Sequence, residues 1–159
     1  MGKQNLTERF SKELLGLLEE TFEHTHGFFL DKNASLLETV ENITSGKASR
    51  PVSIAGSSIA AQVDHICYYM EVLESDIRGS EPGEVDWQKS WQVKEVTTEE
   101  WESLKARLRK TCQSVASAIK GAEHWGDEND IGAALAILAH TTYHLGAIRQ
   151  MLSKVDTTN

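Results

Sequence analysis

Apolar residues recur along this chain at helical rather than strand spacing. Over 6–29, Leu6, Phe10, Leu14, Leu17, Thr21, His24 and Phe28 fall on one stripe, with Leu18, Phe22, Thr25 and Phe29 beside it. That pattern predicts a first helix from Leu6 to Phe29. Leu30-Asp31-Lys32-Asn33 interrupts it. A short helix from Ser35 to Ile43 should follow, opened by Ser35 and Glu38 as a capping box and ended at Ser45-Gly46-Lys47. Ser49-Arg50-Pro51-Val52-Ser53 reads as an extended connector, because the residue before proline avoids helical geometry. The next helix is expected from Ile54 to Arg78, with a stop at Gly79. There Ile59, Val63, Ile66, Met70, Leu73 and Ile77 alternate steps of four and three, the pattern of a helix inside a bundle. Gln62, His65, Tyr69 and Val72 form the neighbouring stripe.

Gly79 to about Val96 reads as a long loop carrying Trp87 and Trp91, which should pack down over the helices. A helix then begins at Thr97 or Thr98, capped through Thr97 and Glu100. Its seam is Trp101, Leu104, Leu108, Cys112, Val115 and Ile119, and Gly121 marks its end. After a polar turn over 123–129, Asn129 or Asp130 can cap a last helix from Ile131 to Lys154. This helix is apolar on two stripes, one through Leu135, Leu138, Thr142, Leu145 and Leu152, the other through Ile137, His144, Ile148, Met151 and Val155. Such a helix should be largely surrounded by others, with His140 and His144 pointing inward. The expected architecture is all-α: one domain over residues 1–159, a four-helix bundle with a short extra helix and a long tryptophan-containing loop.

Composition narrows the function more than the fold. The 159 residues are 40% hydrophobic and 25% charged, ordinary for a globular protein with a substantial core. A formal net charge of -8 repels phosphate backbones, so nucleic acid is not an expected partner. No run of about 18 apolar residues predicts a membrane span, and the N-terminus lacks the apolar stretch of a signal peptide. The expected location is therefore the cytoplasm, with Cys67 and Cys112 as reduced thiols.

The candidate chemistry lies in His140-Thr141-Thr142-Tyr143-His144. Histidines four apart on a helix share a face, so their ring nitrogens can converge on one ion. The pair alone is better explained by core histidines hydrogen-bonded to backbone, Tyr143, Thr141 or Gln62. A third inward histidine, His65 or His24, would change this: three imidazoles leave a fourth position open for water or substrate, as in catalytic zinc sites. The stripes do not rank His65 against His24. The segment lacks the glutamate of H-E-x-x-H, which disfavours peptide hydrolysis by that mechanism. Tyr69 can line a pocket one turn from His65, although an aromatic on a bundle stripe is more often core, and Trp87 and Trp91 can form a rim or serve as loop anchors. Cys67 lies on a different face from His65. Arg50 and Arg149 can pair an anionic substrate, though solvated or salt-bridged arginines read the same way.

Three stretches together resemble the DinB-like (YfiT-like) superfamily of metal-binding four-helix bundles: Ser53-Ile54 ahead of Gln62-Val63-Asp64-His65-Ile66, then Asp86-Trp87 and Trp91, then His140 to Gln150. The resemblance spans nearly the whole chain. It implies a metal triad of His65, His140 and His144, with His24 returned to a core or supporting role. It also implies nickel or zinc as the ion, a small-molecule substrate and a homodimer. The activities it implies are thiol S-transfer with a low-molecular-weight thiol such as bacillithiol or mycothiol, thiol-dependent isomerisation, or hydrolysis. A non-catalytic metal- or ligand-binding bundle, or a purely structural one, is the alternative.

Overall fold

The computed structural model describes residues 5–52, 56–122, 125 and 130–156. They form six α-helices, α1 (Leu6–Phe22), α2 (Leu36–Glu41), α3 (Ser45–Ala48), α4 (Ile59–Ile77), α5 (Thr98–Gly121) and α6 (Asp130–Asp156), plus a 3-10 turn at Lys89–Trp91. No strand occurs among the described residues, and the fold is all-α.

Helix starts follow side-chain capping. The boxes expected at Ser35–Glu38 and Thr97–Glu100 are both formed, each hydroxyl accepting from the N3 backbone while the glutamate accepts from the cap N–H. Ser58, not Ile54, starts α4, its Oγ accepting from the Ala61 N–H at 3.1 Å; Ile54 itself lies outside the described residues. Ser45-Gly46-Lys47 does not merely close the preceding helix. Thr44 Oγ1 accepts the Lys47 N–H, and these residues become the single turn α3. The end of α4 is as expected, with Arg78 as C-cap and Gly79 at φ 65, where a side chain would be strained.

The first helix is shorter than its stripe predicts, ending at Phe22 rather than Phe29. A competing interaction ends it. The carboxylate of Glu20, fully buried, turns back to accept the backbone N–H groups of Phe28, Phe29 and Leu30 at 3.0–3.3 Å. Gly27 sits at φ 76 so that the chain can wrap around it. Phe28 is then 75% exposed, although its spacing would have placed it with Leu14 and Leu18 in the core.

α4 packs against both α5 and α6, and α1 against the same two helices. Polar rungs give the directions. Arg107 reaches Asp64 (2.6 Å) and Glu71 (2.7 Å), and Ser114 donates to Glu74 (2.6 Å), so residue numbers rise together and α4 and α5 run parallel. Gln62 meets His144 and His65 meets His140, so α4 and α6 run antiparallel. The parallel pair requires a long crossover, which the loop from Gly79 to Val96 supplies. Between the helices, the seam expected on α5 is buried in full, and Trp101 donates its indole N–H to the Ile43 carbonyl at 2.6 Å.

The last helix departs from its expected environment. Helices cover only part of α6, leaving Ile131 at 40%, Leu135 at 46% and Tyr143 at 73% exposure. By length and hydropathy α6 would also suffice to cross a membrane, a property its apolar composition confers although no run of about 18 apolar residues is visible in the sequence. The opposite face of α6 is buried through Ala133, Ala134, Ile137, Thr141, His144, Leu145 and Ile148, and α6 packs on both α4 and α1.

Burial acts to raise the pKa of Glu20, but the backbone N–H bonds from Leu30, Phe29 and Phe28, with the nearby Gly27 N–H acting the same way, outweigh it and hold the carboxyl below its ordinary 4.5. Its stabilising contribution is present above the unfolded-state value and is lost as pH falls through the lower folded value. Glu20→Gln should therefore lower the urea midpoint at pH 7, and the gap to the native chain should close below about pH 4.5. An unchanged gap down to pH 3, or no gap at pH 7, would contradict the role assigned to the carboxylate.

Candidate metal centre

His65 stands in the second turn of α4, on the stripe beside its buried apolar seam. His140 and His144 stand one turn apart on the face of α6 that meets it. Because the helices are antiparallel, the single residue on α4 faces the pair on α6. One ring nitrogen from each of His65, His140 and His144 lies within 4.8 Å of the others, near enough to share one ion. The Nε2 atoms of His65 and His140 are 3.0 Å apart. Two nitrogens bound at 2.0–2.1 Å to a tetrahedral ion stand about 3.3 Å apart, so this pair is nearly in place.

The other ring nitrogens settle which atoms are available. Ser90 gives its only proton to the Trp87 carbonyl (2.7 Å), so its oxygen must accept from His65 Nδ1 at 2.7 Å. Gln62 donates its amide to Ser57 Oγ (2.7 Å), which directs its carbonyl oxygen to accept from His144 Nδ1 at 2.5 Å. Both histidines thus carry their proton on Nδ1 and present Nε2 as a lone pair. This is the arrangement in which outer partners orient metal-binding imidazoles. With a lone pair on His65 Nε2, the 3.0 Å contact to His140 is a hydrogen bond only if His140 is protonated on Nε2. Were His65, His140 and His144 to hold a cation through Nε2, His140 would have to carry its proton on Nδ1 instead.

Protonation does not compete at neutral pH. Burial, then the neighbouring His65, holds His140 down to about 4. Burial, then His140 and His65, does the same for His144, also to about 4. His65 is lowered by burial too, with Asp64 opposing. That carboxylate is itself taken by Arg107 at 2.6 Å. The cluster therefore offers three neutral nitrogen donors and no carboxylate, so a bound divalent ion would keep its full charge toward a fourth ligand.

Each histidine also has an aromatic neighbour. Trp91 stacks on His65 (ring centroids 4.0 Å apart, planes at 22°) and Tyr69 on His140 (3.6 Å, 14°), while Tyr143 meets His144 edge-on (5.0 Å, 87°). The 3-10 turn Lys89–Trp91 places Ser90 and Trp91 together on His65, and Tyr68 anchors the loop before it by accepting the Asp86 N–H at 2.8 Å.

The structure separates the other candidates. His24 is exposed in the connection after α1, among Glu23, Glu38, Glu41 and Arg109, and takes no part in the cluster. Cys67 is buried, burial pushes its thiol up to about 12, and it is not among the residues whose ligand atoms converge. Arg149 hydrogen-bonds the Asn33 carbonyl and Thr39 Oγ1, and Arg50 lies exposed on the surface. Trp87 packs edge-on against Tyr68 (5.7 Å) and not on a histidine. Of the partners considered for the pair, Gln62 is used, whereas Thr141 Oγ1 is buried without a hydrogen-bond partner among the described residues. Ser90 is the site residue that sequence reasoning missed. It lies 25 positions from His65 in a loop without periodicity, and nothing in the chain marks it.

Ser90→Ala and Gln62→Ala should each weaken zinc binding by about 10- to 100-fold, measured by competition with a chelator, while far-ultraviolet circular dichroism stays unchanged. Equal affinity in both variants would show that the two hydrogen bonds do not orient the ligands. Comparison with protein-family models, with curated proteins and with solved structures gives no match for this chain.

Proposed function

We propose that this chain is a DinB-like four-helix bundle in which His65, His140 and His144 hold one divalent ion, nickel or zinc, for use on a small-molecule substrate. The observation that carries the reading is the convergence of three neutral imidazoles whose outer N–H groups, on His65 and His144, are already committed to Ser90 and Gln62. Alternating α1–α5–α4–α6 contacts support the bundle, and the order of the motifs along the chain supports the superfamily. The reaction we favour is thiol S-transfer with a low-molecular-weight thiol, or hydrolysis.

A divalent ion here would supply a Lewis-acid centre that lowers the pKa of a bound thiol or water. The chain's own residues do the rest. His65, His140 and His144 bind through nitrogen and leave a position open. Ser90 and Gln62 keep two of the rings in the required tautomer. Trp91 and Tyr69 cover the faces of two of the rings and limit water there. The second reading is a non-catalytic metal- or ligand-binding bundle, favoured by the lack of any described carboxylate in the cluster to act as a general base.

Elemental analysis of untagged protein beside His65→Ala and His144→Ala tests the metal. One equivalent of nickel or zinc, lost in both variants, is the expected result, and no metal even after reconstitution would sink the reading. In the cobalt-substituted protein, added bacillithiol or mycothiol should shift the visible spectrum, and lack of any shift removes thiol transfer. Turnover abolished by His144→Ala would exclude the non-catalytic reading.

We place the second copy of the implied homodimer on the exposed face of α6, where Ile131, Leu135, Ala139 and Tyr143 form a continuous apolar stripe. Sedimentation should show a dimer, and Leu135→Glu should shift it to monomer. A native chain that sediments as a monomer at micromolar concentration would rule this out.

A further inference from the structure

Next to the histidines, but not lined by them, lies a cavity of about 480 Å³ between the start of α4 and the extended segment that follows the 3-10 turn. Trp91, Pro51, Ala61 and Val93 provide its apolar wall, and Ser57, Ser58, Lys94 and Glu95 its polar one. Two of these side chains also support the metal centre. The indole of Trp91 stacks on His65, and Ser57 Oγ accepts from the Gln62 amide that holds His144. The cavity wall therefore holds one direct neighbour of a histidine, Trp91 on His65, and one residue a step further out, Ser57 behind the Gln62 that meets His144.

The hydrogen-bonding state of the wall selects the ligand's polar end. Ser57 Oγ accepts from Gln62 and Ser58 Oγ accepts from the Ala61 N–H, and neither hydroxyl donates its proton to an acceptor among the described residues. Ser49, also on the wall, is already committed, accepting from Val96 N–H (2.9 Å) and donating to the Ser45 carbonyl (2.8 Å). The cavity thus offers donors and asks for an acceptor. Lys94 at the rim forms no ion pair with any described residue and adds a positive charge, while the Glu95 carboxylate beside it opposes a second negative charge on the ligand. The apolar wall and the indole suit a flat, weakly polar body.

We propose that this cavity is a binding subsite for a small monocarboxylate with a flat apolar body, its head group on the Ser57 and Ser58 hydroxyls and Lys94, its body against Trp91. The subsite deepens the reading above, since a substrate held there would extend past Trp91 toward the histidines. Its occupancy, however, does not require the ion.

Nuclear magnetic resonance titration of the full chain with phenylacetate, in metal-free and zinc-loaded protein, tests this. The amides of Ser57, Ser58, Ala61, Val93 and Lys94 and the Trp91 indole N–H should shift in both forms. Phenylacetamide, which lacks the charge, and phenyl phosphate, which carries two, should bind more weakly by about fivefold, as should phenylacetate to the surface variant Lys94→Glu. Absence of shifts at these residues would overturn the proposal, as would equal binding of phenylacetamide or no effect of Lys94→Glu. Shifts confined to the zinc-loaded form would also overturn it, because the carboxylate would then be on the ion. Zinc affinity measured on the same samples separates the two readings: binding of phenylacetate without zinc binding removes the metal centre and leaves the subsite, and the converse removes the subsite alone.

Discussion

Three imidazoles packed together out of water are unfavourable unless each ring nitrogen has a partner, and much of the architecture around α4 and α6 answers that requirement. Gln62 on α4 satisfies His144 on α6, so one hydrogen bond both stabilises the ring and registers the two helices. Ser90 satisfies His65, but only because the crossover loop descends to bring it there. The loop is required in any case to join two parallel helices. In this chain the topological connection is also the part that orients a ligand and covers it with Trp91.

Two further polar arrangements set the chain around the centre. Arg107 forks between Asp64 and Glu71 along the α4–α5 seam, with Thr111 adding a hydrogen bond to Glu71 (3.1 Å). By drawing Asp64 sideways, this network keeps the carboxylate next to His65 away from the cluster, and the site remains a nitrogen-only donor set. At the other side, the buried Glu20 carboxylate gathers three backbone N–H groups and turns the chain from α1 toward α2. A charged side chain with several backbone donors is a strong local constraint, and here it overrules a helical apolar pattern seven residues long.

The nearest neighbours of the centre divide into those that turn inward and those that face out. Tyr69 and Trp91 each cover a ring, whereas Tyr143 and the adjoining stripe of α6 remain exposed beside the same cluster. The centre therefore sits at an edge of the helix assembly. That placement is compatible with access by a small molecule from the cavity behind Trp91.

Features that depend on short range are legible in the chain alone. Caps at Ser35 and Thr97, the α4 seam from Ile59 to Ile77, the α5 seam from Trp101 to Ile119 and the stop at Gly79 are local preferences and periodicities, legible within a few turns. The i,i+4 histidine pair was legible for the same reason, because helical geometry alone puts His140 and His144 on one face. Tertiary structure decided the rest. Whether His65 or His24 joins the cluster depends on the register of α4 against α6, which residue stripes do not encode. Where α1 ends depends on a carboxylate reaching eight to ten residues ahead. How much of α6 is covered depends on how many helices pack on it, and periodicity shows only that a face is apolar. Ser90 depends on a loop folding back across 25 residues, and an aperiodic segment carries no pattern from which that contact could be read.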